Sequence, residues 1–365
     1  MSLPLPLVEV SGTPGECGVA YGAAARSSIA ANTANYLERF AATGLDRPAV
    51  RRAGSRFRAA SRQHAPRVAD MLDGVAEGAG VPVDEIYALN ARTELLYGSS
   101  SSSSSECTSI GVLDSRSASG HTLLAQNWDW HPAQRPYTLL LATRDEQGST
   151  VLTLTEAGML AKAGFNDAGL GVCVNMLTSD RDGRPGGVPY HVLLRMVLEQ
   201  RVLGSALRVA CSTPRSASIN LLLGQAFSAG VPGEAIDLEV SPVDVGLLHP
   251  VDGVITHANH FEALSTARDT LRDFGGSSLF RSARARRLLG SGPLAEKDLQ
   301  AVLADHGGHP QSICRHDVDA LSEEDRSESL YAVIIDLDER RMSIAAGPPC
   351  HADTYREVRL TGLFA

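Results

Sequence analysis

Seven consecutive serines at 99–105, followed by Glu106 and Cys107, divide this 365-residue chain into two stretches with different hydrophobic periods. A run of one small polar residue has no apolar face to bury, so no packed element can cross it, and it reads as a flexible linker. It is also the kind of exposed segment where chain cleavage concentrates. The stretches on either side must therefore form their secondary structure separately.

Before the serines the period is helical. Residues 17–41 carry Ala, Ile, Tyr, Leu and Phe at mixed three- and four-residue steps. Phe57, Ala60, Val68, Met71, Leu72 and Val75 recur at helical spacing within 48–78, and Ile86, Leu89, Leu95 and Leu96 do so within 83–97. Gly78, Gly80 and Pro82 separate the second helix from the third.

From Cys107 the pattern changes to strands. TSIGVL (108–113) and TLLAQNW (122–128) flank a polar turn, and TLLLATR (138–144) and TVLTLTE (150–156) flank Asp-Glu-Gln-Gly. MLAKAGF (159–165) and GLGVCVNML (169–177) flank Asn-Asp-Ala-Gly. Each pair reads as a hairpin. A helix is expected at 189–201, then strands near 217–223, 234–240 and 253–258. Helices near 279–289 and 295–304 and strands at 330–337 and 341–346 close the chain. Hairpins interleaved with helices predict an α+β protein with two sheets and helices packed outside them.

Composition removes several classes. The net charge of −9 has the wrong sign for a general nucleic-acid binder. No run approaches the roughly 20 apolar residues of a membrane span. MSLPLPLVEV lacks a basic region and a long apolar region, so a cytoplasmic location is expected. Only Lys162 and Lys297 are lysines among 33 basic residues, so the arginine runs read as solvated helix faces. The six cysteines show no CxxC pair and are expected to be reduced, most of them buried as small hydrophobes.

Cys107 stands where the pattern switches. The turn of the first hairpin centres near residue 118, which sets Cys107 opposite Asp129 to within about two residues. Cys107, Ser109 and Gly111 would then share a small, polar face with Ala125, Asn127 and Asp129, leaving Ile110, Val112, Leu124, Trp128 and Trp130 as core. Two rival constellations are weaker. Asp305, His306, His309, Cys314 and His316 have metal-ligand side chains within twelve residues, but no pair has a zinc-finger spacing with a second pair to match. Cys107 with His260 or His191 lacks a papain-type local signature. No metal and no cofactor is expected.

ECTSIG followed by AQNWDW resembles the penicillin acyltransferase-like family, the acyl-coenzyme A:6-aminopenicillanic acid acyltransferase group of N-terminal nucleophile hydrolases. GTPGECGVAYG, DGVAEGAGVPVDEIYALNARTEL, GFNDAGLGVCVNML, THANHF, SICRH and AAGPPC resemble it in the same order over nearly the whole chain. The resemblance implies a four-layer αββα sandwich of two mainly antiparallel sheets, with a helical N-terminal segment. It implies a precursor that cuts itself between Glu106 and Cys107, so that 1–106 and 107–365 become two fragments of one heterodimer. The freed α-amine, with a reference pKa of about 7.7–8.0, would serve as base for the thiol beside it.

Further roles follow from the same resemblance. Asp129 would orient the amine. The Asn259 side-chain amide and the Asn175 backbone N–H would hold the oxyanion. Ser277, Ser278 and Arg281 are candidates for the serine and arginine the family places after Asn-His-Phe. The implied reaction passes an acyl group through a Cys107 thioester. The donor would be a small-molecule amide or a thioester such as an acyl-coenzyme A, and the acceptor a small amine-bearing metabolite or water. No nucleic-acid or membrane partner is expected. The chain departs from the penicillin enzyme at Glu106, where that enzyme has glycine. A bulky acid there would slow the N-to-S acyl shift, which keeps open an uncleaved, catalytically silent ligand-binding member.

Overall fold

The helical stretch before the serines becomes six helices in the computed structural model, which describes residues 3–97, 107–227, 230–263, 266–319, 326–351 and 355–364. The serine run and Glu106 lie outside the described residues. The helices are α1 (Pro14–Ala24), α2 (Arg26–Ala42), α3 (Arg47–His64), α4 (Pro66–Ala79), α5 (Val83–Asn90) and α6 (Arg92–Tyr97). Thr13 starts α1 with a reciprocal cap. Its Oγ1 accepts from the Glu16 N–H, and the Glu16 carboxylate accepts from the Thr13 N–H. α1 and α4 touch backbone to backbone through glycines. A Cβ on Gly78 would stand 2.1 Å from the Val19 carbonyl oxygen, and one on Gly18 would stand 2.1 Å from that of Met71.

The strands form two sheets. The first has eight, in the order β1 (Leu7–Ser11), β4 (Thr138–Arg144), β5 (Thr150–Glu156), β6 (Gly164–Asn166), β7 (Leu170–Met176), β8 (Ile219–Gln225), β9 (Glu234–Val240) and β10 (Val245–Leu248). The second has six, in the order β11 (Val254–His257), β2 (Cys107–Val112), β3 (Leu123–Trp130), β12 (Glu328–Asp336), β13 (Arg341–Ala346) and β14 (Arg356–Arg359). Among the described residues, every strand pairing is antiparallel except β1 with β4. Sequence reading missed β1 because prolines at 4 and 6 crowd a short strand. Its pairing means that the N-terminal segment supplies a strand as well as helices.

Three apolar layers stack these elements. Tyr21, Leu72 and Val75 pack with Leu193 and Val197 of α7 (Tyr190–Leu198) on the outer face of the first sheet, beside α8 (Leu203–Ser212). Leu124, Trp128, Leu152, Leu222 and Val333 fill the space between the sheets. After α9 (Thr270–Phe274), α10 (Ser278–Leu289) and α11 (Glu296–Leu303) cover the second sheet through Ala285, Leu289, Leu299 and Leu303 against Ile110 and Ile334. This is the expected four-layer αββα arrangement.

The first hairpin corrects the expected register. Cys107 pairs with Trp128 and not with Asp129. A shift of one residue exchanges the two faces of a strand. Cys107 and Ser109 therefore share a face with Gln126, Trp128 and Leu124, while Asn127 and Asp129 alternate to the side of Thr108, Ile110 and Val112. The connection from 113 to 122 is too long for a tight turn to set the register, and it is tethered instead by a bridge from Ser117 to Leu294. The third expected hairpin also shrinks: its first strand covers only Gly164–Asn166, and the residues before it are buried without strand pairing.

Candidate active site

Cys107 is the first residue of β2, and its side chain is buried between the sheets. It lines a cavity with Arg92, Gln126, Trp128, Trp130, Lys162 and Tyr190. Burial, followed by the charge of Asp129, pushes the thiol up to about 11. The Asp129 backbone N–H hydrogen-bonds the sulfur and opposes that rise. The thiol is therefore protonated at neutral pH and needs a base.

Asn259 meets Cys107 because of strand pairing. β11 runs beside β2 with His257 opposite Ser109, so the chain leaves the sheet next to Cys107. The Cys107 backbone N–H donates to Asn259 Oδ1 at 2.6 Å, and Arg281 Nη2 donates to the same oxygen at 2.9 Å. Two donors on one atom identify it as the oxygen of the amide. Asn259 Nδ2 then donates one hydrogen to the Met176 carbonyl, 2.9 Å away, and carries a second hydrogen.

Arg281 closes the arrangement. It lies on α10, is fully buried, and donates through Nη1 to the Cys107 carbonyl and to Thr108 Oγ1, both at 2.6 Å. Ser277 Oγ receives its Nε, and Ser278 Oγ receives the Asn259 N–H. The structure thus brings together Cys107, Asn259, Arg281, Ser277 and Ser278.

Asp129 is fully buried near Cys107 but belongs to the opposite face of its strand. Its Oδ1 accepts from Ser329 Oγ at 2.6 Å. The Asn175 side chain is committed elsewhere: its Nδ2 donates to Ser109 Oγ at 2.7 Å and to Asn220 Oδ1 at 2.8 Å. Both hydrogens of that amide are therefore used within the sheets. His191 Nδ1 contacts the Ala161 carbonyl, and His260 Nδ1 contacts Ser278 Oγ.

Sequence reading gave no role to the charged side of the cavity. Arg92 pairs with Glu156 at 2.9 Å, almost without exposure, and its guanidinium lies 4.0 Å from the Trp130 ring centre. Lys162 Nζ sits 4.1 Å above the Trp128 ring and 3.9 Å from Glu156. Burial and then the Arg92 charge outweigh Glu156 and bring Lys162 down to about 7. Burial raises nearby Glu94 to about 7, and its carboxylate accepts the Tyr190 N–H. The available signal was rarity: Lys162 is one of two lysines and lies in an otherwise apolar segment.

The chain resembles known proteins along most of its length. The sequence model of the family described as acyl-coenzyme A:6-aminopenicillanic acid acyl-transferase matches residues 116–350. The 40 kDa form of acyl-coenzyme A:6-aminopenicillanic-acid-acyltransferase from Emericella nidulans is 29% identical over 357 residues, covering 95% of this chain and 94% of that protein. Among solved structures, a conjugated bile acid hydrolase from Clostridium perfringens aligns over 70% of this chain and 93% of its own, with TM-score 0.46 and 10% identity. Penicillin V acylase from Agrobacterium tumefaciens aligns over 70% and 86%, with TM-score 0.45 and 13% identity.

Proposed function

The chain belongs to the acyl-coenzyme A:6-aminopenicillanic acid acyltransferase family, whose members are self-processing N-terminal nucleophile enzymes, and we propose that it passes an acyl group through a thioester on Cys107 to a small amine-bearing acceptor. One observation carries the reading. The backbone nitrogen of Cys107 is already held by Asn259, while the thiol of the same residue faces a cavity. Cleavage before Cys107 turns that nitrogen into a free amine without moving it.

Processing begins when Cys107 Sγ adds to the Glu106 carbonyl carbon. The C–N bond breaks, the nitrogen leaves as an amine carrying the thiol proton, and water then hydrolyses the thioester. In turnover the neutral amine accepts the thiol proton, and sulfur adds to the acyl carbonyl. The second N–H of Asn259 faces the developing oxyanion. Arg281 holds both the Cys107 carbonyl and the Asn259 oxygen, so nucleophile and donor keep a fixed separation. The leaving group departs with the proton now on the amine. The acceptor amine then attacks the thioester, its proton passes to the Cys107 α-amine, and the C–S bond breaks to release the amide and return the proton to Cys107 Sγ.

Trp128, Trp130 and Tyr190 offer an apolar wall for the acyl group, with the Lys162 amine and the Arg92 guanidinium beside it. An acyl-coenzyme A donor is proposed from the name of the Emericella nidulans relative. Asp129 is proposed to bias the amine through its charge, acting from the far face of β3. The two fragments are proposed to stay together, because β1 from the first is a strand in the sheet of the second.

Intact-mass spectrometry tests the reading. The expected result is two fragments split before Cys107, with an acyl adduct on the Cys107 fragment after mixing with an acyl-coenzyme A and no acceptor. A single full-length mass with no adduct would favour the silent ligand-binding alternative.

A further inference from the structure

Away from the cavity, two segments distant in sequence converge on one point. The loop after α11 brings His306, Cys314 and His316, and the turn Pro349–His351 after β13 brings Cys350. We propose that these four residues form a structural zinc site.

The distances carry the proposal. His316 Nε2 stands 3.1 Å from His306 Nε2, 3.5 Å from Cys314 Sγ and 3.4 Å from Cys350 Sγ. All four ligand atoms lie within 4.8 Å of one another. A ring nitrogen has either one proton or one lone pair. It cannot satisfy three polar neighbours by hydrogen bonding. Four donors around a shared cation can. Zinc bonds of about 2.3 Å to sulfur and about 2.0–2.1 Å to nitrogen, at tetrahedral angles, put ligand atoms roughly 3.3–3.8 Å apart. The two sulfur-to-His316 edges fall in that range, the His306–His316 edge is slightly shorter, and the remaining edges lie within 4.8 Å. Two thiolates with two imidazoles form a Cys2His2 set, which suits zinc over the hard cations.

The surroundings fit a closed structural site. Cys314 is buried, His316 and Cys350 are half-buried, and His306 is exposed, which leaves an entry path from solvent. The His309 and His351 rings pack against His316, each with centroids 5.2 Å away. Binding would replace the protons of two thiols, so two protons are released per zinc bound.

The site would also brace β3, the strand paired with that of Cys107, and β12 beside it. Asn127 Nδ2 donates to the Ile313 and Leu303 carbonyls, both at 2.8 Å. The Arg315 N–H donates to Ser329 Oγ at 3.0 Å, and that hydroxyl donates to Asp129. Pinning Cys314 and His316 to Cys350 holds this loop against β3 and β12. The sequence cluster named earlier did not include Cys350, which lies 34 residues beyond His316, and the metal-free expectation rested on the lack of a zinc-finger spacing with a matching second pair.

Metal analysis of full-length protein purified without a polyhistidine tag provides the test. The expected result is about one zinc per chain, falling to background in Cys314→Ser and Cys350→Ser. Exchange with Co2+ should give tetrahedral d–d bands and thiolate-to-cobalt charge transfer, both lost in Cys350→Ser. His306→Ala, at the exposed side, should keep the wild-type circular dichroism and bind Co2+ at least tenfold more weakly, so a folding failure in the cysteine variants does not decide the matter. The proposal is overturned if wild-type protein takes up neither zinc nor Co2+. It is equally overturned if Cys350→Ser and His306→Ala bind as wild type does, or if peptide mapping finds a disulfide between Cys314 and Cys350.

Discussion

The backbone nitrogen of Cys107 and the side-chain oxygen of Asn259 lie 2.6 Å apart, although 152 residues separate them in the chain. The contact is present in the uncut chain, so under the proposed processing the nitrogen that would become the amine is positioned by the fold and not by the cleavage. Arg281 shares the Asn259 oxygen and also holds the Cys107 carbonyl.

Asn259→Ala removes the acceptor for the Cys107 nitrogen and, in the proposed mechanism, the donor for the oxyanion. Steady-state kinetics should show kcat lower by on the order of 10²–10³, with KM little changed. An unchanged kcat would remove Asn259 from the site.

Cys107 is assigned both processing and turnover, so one substitution should abolish both. Cys107→Ala should remain full length and form no acyl-enzyme by mass spectrometry. Cys107→Ser should cleave slowly and turn over poorly, because a hydroxyl is the weaker nucleophile at its ordinary pKa. Glu106→Gly should cleave at least as fast as the parent. Cleavage at this bond in Cys107→Ala would end the N-terminal nucleophile reading.

Lys162 gives stability a pH dependence of known sign. Its folded value is about 7 against an ordinary 10.5, so between those limits the unfolded chain binds more protons than the folded one. Stability contributed through Lys162 should therefore rise as pH increases from about 7 towards 10.5. Lys162→Met should flatten that rise in urea melts recorded across the range. A slope unchanged by the substitution would show that Lys162 is not the titrating group.

Glu156 holds Arg92 at the cavity by pairing with it and accepts the Tyr36 hydroxyl at 2.7 Å. Glu156→Gln leaves the Arg92 guanidinium buried without its counter-charge. Loss of one partner of a buried pair costs about 3–5 kcal/mol, and the urea midpoint should fall accordingly without a change in slope. A midpoint equal to the parent's would mean that Arg92 finds another partner.

Residue order alone determined a good deal. Helical spacing before the serines and strand patterning after Cys107 follow from local preference, and most elements appear near where that patterning puts them, although β1 escapes it and the third hairpin's first strand shrinks to Gly164–Asn166. ECTSIG and THANHF pointed to Cys107 and Asn259, which the fold brings into contact. Tertiary structure decided the rest. Cys107 faces Trp128 and not Asp129 because a ten-residue connection leaves the register to packing between layers. Arg281 reaches the Cys107 carbonyl because α10 lies across β11 and β2, a contact no local pattern encodes. Lys162 owes its low pKa to burial beside Arg92, and Cys350 meets His316 only once β13 has carried the chain back to the loop after α11. Periodicity is set by neighbours a few residues apart, whereas faces, charges and ligand sets depend on which layers stack, and that is settled only when the apolar surfaces of both sheets are buried together.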